Sequence, residues 1–187
     1  MFIEISGDLI KQLQKFTSKL KSRPILQAIS IRMDDDQVEF AATDGTKLYV
    51  FIRKKLDTES LVGQLVIKIP KVKGKYSYYL EKLNDMYILR NPISEEKVVC
   101  EEITELRYPN YRDIIPLELD KVPYAQSYTA FKSENLAALE FVCPEAIAYR
   151  PRTRGANNPC FWHYVRPIGE QIICLMPYRL AEMEEKL

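Results

Sequence analysis

Little in this chain of 187 residues favours catalysis. There is one histidine, His163, and one tryptophan, Trp162, and no Gly-x-Ser-x-Gly, Walker A loop or His-Glu-x-x-His. Nucleophile-base pairs, phosphate cradles and two-histidine zinc sites therefore lack their usual carriers. No run of about 18 apolar residues is present, which excludes an ordinary membrane-spanning helix. The N-terminal Met1-Phe2-Ile3-Glu4 does not read as an export signal, so a cytoplasmic protein is expected. The four cysteines, Cys100, Cys143, Cys160 and Cys174, form no Cys-x-x-Cys pair and read as reduced, buried thiols. Net charge is also missing: 27 basic and 26 acidic residues leave +1, so any attraction to a polyanion depends on where charges are placed.

What is present is 47% apolar sequence, enough for a real core, arranged in repeating patterns. Asp8 is placed to cap a helix whose Leu9, Leu13, Phe16 and Leu20 recur at i, i+4, i+7 and i+11, with Lys11, Lys15 and Lys19 on the other side. Strands are expected over 25–32, 38–42 and 47–53, with the acidic turn Asp34-Asp35-Asp36 between the first two. The pattern then starts again. A strand over 64–69 leads to Pro70, a residue tolerated in a helix's first turn, and Val72, Tyr76, Tyr79 and Leu83 repeat the helical spacing with Lys71, Lys75 and Lys82 opposite. Gly74 weakens that second helix by about 1 kcal/mol relative to alanine. Strands over 86–90 and 97–103 follow. A third start has a strand over 126–131, a short helix over 134–142 capped by Ser133, and strands over 161–166 and 171–176. Three units of about 60 residues are the simplest organisation. The first two make one domain over 1–121, including a linker at 108–121. A half-domain and tail occupy 122–187.

Three stretches stand out in order: Ala41-Ala42-Thr43-Asp44-Gly45-Thr46-Lys47-Leu48, Tyr108-Pro109-Asn110-Tyr111-Arg112-Asp113-Ile114-Ile115-Pro116, and Leu175-Met176-Pro177-Tyr178-Arg179-Leu180. Together they resemble landmarks of the bacterial DNA polymerase III beta subunit, the sliding clamp of replication. Residues 23–116 resemble its middle domain and 121–180 a shortened last domain. The resemblance implies an α+β DNA-clamp fold, with repeated β-α-β-β-β units and helices on one face of antiparallel sheets. It also implies a non-enzymatic processivity factor without a cofactor. Its partners would be double-stranded DNA, bound without sequence preference, a DNA polymerase and a clamp loader. Bacterial clamps make twelve units from two chains, so three units per chain favour a homo-oligomeric ring of four. The reduced size suggests a phage or other mobile element.

Two surfaces follow. The basic residues Lys11, Lys15, Lys19, Lys21 and Arg23, and Lys71, Lys73, Lys75 and Lys82, would face DNA, lysine on a flexible stem suiting diffuse attraction to phosphate. The third helix, with Glu134 and Glu140, does not fit that role. By resemblance, the pocket for a partner peptide's hydrophobic anchors is carried over to Thr43, Gly45, Lys47, Leu48, Pro109, Ile114, Met176, Pro177, Arg179 and Leu180. Thr46, Asp113 and Tyr178 depart from the family pattern, and residues 181–187 extend past the usual end.

Two rivals remain: a clamp-derived interaction module or decoy that forms no ring, and a metal-dependent enzyme. The second would use Asp34-Asp35-Asp36 or Cys160 and His163 with Cys143 and Cys174. In a strand, Cys160 and His163 point to opposite faces. Arg150, Arg152 and Arg154 form a basic loop that suits a phosphate, a partner or plain solvent.

Overall fold

The computed structural model describes residues 2–60, 63–125, 130–143, 151–155 and 157–177. Part of the expected strand at 126–131 lies outside them, as do Arg150, Tyr178, Arg179, Leu180 and the tail.

Strand β1 (Phe2–Ser6) runs into helix α1 (Gly7–Phe16) and then β2 (Ile29–Met33), β3 (Gln37–Thr43) and β4 (Lys47–Lys54). Ser6, rather than Asp8, caps α1, its side chain accepting from the Leu9 amide at 3.1 Å. Leu9, Leu13 and Phe16 are buried as their spacing demands. The helix ends there, however, and Leu20 lies beyond it, 58% exposed. Residues 24–27 form a 3-10 turn, so β2 starts later than its apolar pattern suggests.

Next come β5 (Gln64–Lys68), β6 (Ser77–Leu83), β7 (Met86–Arg90) and β8 (Lys97–Glu102). The helix expected from Pro70 to Leu83 is absent, a correction with a clear cause. Tyr78 and Leu80 are buried in alternation, while Tyr76 and Leu83 of the supposed stripe are 36% and 54% exposed. Period two wins over 3.6 from Ser77 onward. Residues 69–76 instead lie along α1. The Gly7 amide donates to Tyr76 O at 2.7 Å, and Gln14 Nε2 donates to Ile69 O and Pro70 O. A Cβ on Gly7 would overlap the Lys73 carbonyl, so glycine is what permits this approach.

The last segment carries α2 (Ser133–Val142), β9 (Cys160–Arg166) and β10 (Gly169–Leu175). The ten strands among the described residues join in the order β1-β6-β7-β8-β5-β2-β3-β4-β10-β9. The described pairings are antiparallel. The first strand of each of the first two units pairs with the second strand of the other: β1 with β6, and β5 with β2. Such reciprocal exchange relates the units by an approximate two-fold. Along the outer edge of β4, β10 adds six residue pairs, from Glu170↔Ile52 to Leu175↔Lys47.

One sheet face packs on α1 and α2 through Ile10, Leu13, Phe40, Tyr49, Leu139 and their neighbours. The chain from Ile103 to Val122 covers the opposite face around Leu48, Val50 and Ile172. All four cysteines are buried and outside any disulfide, and burial pushes Cys100 and Cys174 up to about 12, which leaves those two thiols unreactive.

Candidate nucleic-acid and peptide surfaces

The basic residues gather around α1, although not on two helices. Lys11 and Lys15 are exposed on α1, and Lys19, Lys21 and Arg23 are exposed on the chain leaving it. Lys71, Lys73 and Lys75 are exposed on the stretch that replaces the second helix. That stretch touches α1 directly, with Lys11 Nζ and Asp8 Oδ1 crowding the space over Gly74. Loss of the helix therefore leaves five lysines of the two basic sets together, Lys11 and Lys15 on α1 with Lys71, Lys73 and Lys75 on the stretch packed against it. Lys82 is elsewhere, on β6, 3.7 Å from Asp85 and 5.5 Å from the Tyr87 ring centre. On the other flank α2 packs beside α1, Lys15 Nζ standing 4.9 Å from the Phe141 ring centre.

The Thr43-Asp44-Gly45-Thr46-Lys47 turn joins β3 to β4 and is rigid for reasons in its sequence. The Asp44 carboxylate accepts from the Thr46 and Lys47 amides at 2.8 and 3.0 Å and pairs with Lys47 Nζ. Burial alone would raise this carboxyl, but the bonds from Lys47 and Thr46 outweigh it and hold its pKa below the ordinary value. Thr43 Oγ1 donates to Lys47 O at 2.7 Å and accepts from the Gly45 amide. Gly45 has φ +93°, a conformation that disfavours any side chain. Thr43 and Lys47 thus build the turn, and both are buried, so neither offers much surface to a ligand.

Met176 meets this turn, its amide donating to Thr46 O at 2.8 Å, and Leu48 sits across from Cys174. Tyr108, at the start of the linker, packs in the same apolar cluster as Leu48 and Cys174. Its hydroxyl lies 3.5 and 3.4 Å from Ala28 O and Ala41 O. Sequence reasoning missed two neighbours, Arg23 and Leu26. The Arg23 guanidinium and a Leu26 methyl stand 3.6 and 4.0 Å from where a Gly45 Cβ would be. Arg23 was grouped with the basic row by charge; only the 3-10 turn at Pro24 swings it to the β3–β4 hairpin. Pro109 is exposed, and Ile114, 46% exposed, lines a different cavity of about 920 Å³ with Arg112, Pro116, Leu117, Val122 and Arg154. No residue of the Thr43–Lys47 turn lines that cavity.

The linker is latched at two points. Tyr111 Oη donates to the buried Glu39 carboxylate, and Arg112 Nη2 donates to its other oxygen at 2.8 Å. Farther on, Arg152 Nη1 donates to Asp120 O and Val122 O at 2.7 and 2.8 Å, which ties this arginine of the expected basic loop to the linker.

The metal constellations do not converge. Asp34 Oδ1 accepts from the Asp36 and Gln37 amides within its own turn. His163 lies 2.8 Å from Glu170 and 3.5 Å from Asp120, whereas Cys160 Sγ donates to Asn158 O. Among the described residues no cluster of three or more such side chains is placed to hold a metal, and no helix is long and apolar enough to cross a membrane.

No protein-family model matches the chain, and no curated protein matches its sequence. Solved structures do match its fold. A Eubacterium rectale chain assigned as a DNA polymerase III beta subunit superposes with TM-score 0.65 at 10% identity, over 95% of this chain and 65% of that one. The beta subunit of Thermotoga maritima gives 0.62 at 9% identity, over 96% and 65%. The sliding clamp of Pseudomonas aeruginosa, solved bound to griselimycin, gives 0.63 at 10%, over 96% and 65%. The chain therefore has the α+β fold of the sliding clamps and spans about two thirds of their length.

Proposed function

We propose that this chain is a shortened sliding-clamp-like DNA processivity factor, without enzymatic activity, that encircles duplex DNA as a homo-oligomer and tethers a polymerase. One observation carries this reading: the clamp fold places an exposed row of lysines along α1 and the segment packed on it. Lysines at Lys11, Lys15, Lys71, Lys73 and Lys75 give attraction to phosphate without base-edge contacts, as sliding requires. The Lys11→Glu, Lys15→Glu, Lys19→Glu variant tests it. All three side chains are exposed, so the fold should survive with little loss of stability while retention on circular DNA is abolished. Unchanged retention would refute the assignment of this face to DNA.

For partner proteins, exposed Met176 and half-buried Pro177 beside the Thr43–Lys47 turn, flanked by exposed Arg23 and backed by buried Leu26, Leu48 and Tyr108, suit a short peptide with hydrophobic anchors. Methionine and leucine adapt to varied side chains, and the hydrogen-bonded turn supplies a fixed wall. Changing Met176 and Leu180 to serine should weaken binding of such a peptide at least tenfold in a fluorescence-anisotropy titration. A clamp-derived interaction module without a ring is the second reading. The observation favouring it is α2, whose exposed Glu134, Glu140, Leu136 and Phe141 suit a protein partner better than phosphate. It predicts that peptide binding survives in a chain that never retains circular DNA.

A further inference from the structure

α2 carries charge of the opposite sign to the element beside it. Both helices pack on one sheet face, α1 burying Leu9, Leu13 and Phe16, and α2 burying Asn135, Ala138, Leu139 and Val142. They meet at Lys15, whose Nζ stands 4.9 Å from the Phe141 ring centre. On the outward side α1 shows Lys11 and Lys15, and the segment packed on it shows Lys71, Lys73 and Lys75. α2 shows Glu134, Leu136, Ala137, Glu140 and Phe141, and the helix contains no basic residue. Neither glutamate has an ion-pair partner among the described residues.

Distance decides what these carboxylates reach. Packed helices lie about 8–10 Å apart, close to the Debye length of about 8 Å at physiological salt. A phosphate held on α1 therefore feels the carboxylates of α2, whereas charges on the far side of the sheet are screened from it.

We propose that α2 is a repelling wall beside the lysine row. Glu134 and Glu140 confine the duplex backbone to the α1 side and keep the number of phosphates engaged at one time small. Leu136 and Phe141 offer phosphate no donor, so the wall adds no hold of its own. A polyanion gripped from one side passes from lysine to lysine as it moves, whereas bases on both helices would add contacts and drag. The wall rests on the reading that this face meets DNA, and it specifies where on the face the backbone runs.

The experiment reverses the wall. A Glu134→Lys, Glu140→Lys variant is compared with Glu105→Lys, Glu118→Lys, an equal change of net charge at exposed residues of the chain that covers the opposite sheet face. Each is titrated against a fluorescein-labelled linear duplex by anisotropy over a salt series. The wall variant should bind at least fivefold more tightly than the parent near physiological salt. Its logarithmic salt slope should be steeper by up to about 1.8, or about 0.9 for each added phosphate contact. The comparison variant should stay within twofold of the parent. Glu134 lies in the first turn of α2, where a carboxylate favours the helix. If the double variant melts early, Glu140→Lys alone gives the same reading with half the change of slope. Equal tightening in the two double variants would mean that net charge alone acts, and unchanged binding in the wall variant would place α2 away from the duplex; either result overturns the wall. Local tightening in a protein that never stays on circular DNA would keep the wall and count against the processivity reading. Retention on circles with no local tightening would do the reverse.

Discussion

Buried carboxylates set much of the local order. Glu59 is fully buried and receives Arg53, the Leu56 amide at 2.8 Å and the Glu4 amide at 2.9 Å, which ties the end of β4 to β1. Burial would raise its pKa, but the Arg53 bond and the two amides outweigh that and leave it lowered, as Lys47 and Thr46 do for Asp44. A depressed carboxyl contributes stability that is fully present above its unfolded pKa and is lost as pH falls through the folded value. The ordinary values are 4.5 for Glu59 and 3.8 for Asp44, so the loss begins near these and continues to lower pH. Glu59→Gln should cost about 1.5–3 kcal/mol at pH 7, the range for bonds to a charged group. Its urea midpoint should then change less than that of the parent between pH 5 and pH 3; an equal change would remove Glu59 from the acid response. Tyr111→Phe tests the linker latch. It removes one donor from Glu39 but leaves Arg112, so a loss of about 1 kcal/mol is expected, with the larger loss in Glu39→Ala, which strands both partners.

At the scale of elements, α1 and the segment at 69–76 are one device, and it explains what was legible. The apolar stripe of α1 read correctly because Leu9, Leu13 and Phe16 all meet the sheet. An equally regular stripe at Val72, Tyr76, Tyr79 and Leu83 misled, because tyrosines at 76, 78 and 79 satisfy both periods, and only tertiary contact with α1 decides between them. The strands of the first unit and the β9–β10 hairpin were legible from alternation and turn residues, whereas the ten-strand order depends on partners distant in sequence. Gly7 and Gly74 record the decisive contact, and their substitutions should differ. Glycine to alanine inside a helix ordinarily stabilises by about 1 kcal/mol. At Gly7 the new methyl meets the Lys73 backbone carbonyl, which cannot step aside, so Gly7→Ala should destabilise by about 1–3 kcal/mol. At Gly74 it meets the far ends of Asp8 and Lys11, which can swing into solvent, and the cost should be well under 1 kcal/mol. Equal thermal shifts for the two variants would contradict the close backbone approach.

Across the whole molecule, charge is arranged and not accumulated, which is why a net charge of +1 was uninformative. The lysines were individually readable from the sequence, yet their grouping was not, since it depends on residues 69–76 lying along α1. That Gly45, Leu48 and Met176 meet around the β3–β4 turn was readable from the sequence, while Arg23 and Leu26 needed the fold to bring residues 23–26 there. A topological hold on DNA and a direct electrostatic one make different demands on such a surface. Direct binding through Z phosphate contacts weakens with salt at a logarithmic slope of about −0.9Z, so five engaged lysines would lose roughly three and a half orders of magnitude over a sixfold increase in salt. A closed ring cannot leave a circle at any salt that preserves the ring. Once loaded on a closed circular plasmid, the protein should therefore remain through a high-salt wash and be lost when a restriction enzyme opens the circle. Loss from the intact circle, with the steep salt slope and with the oligomer still assembled, would mean that these lysines bind DNA directly and that no ring closes around it.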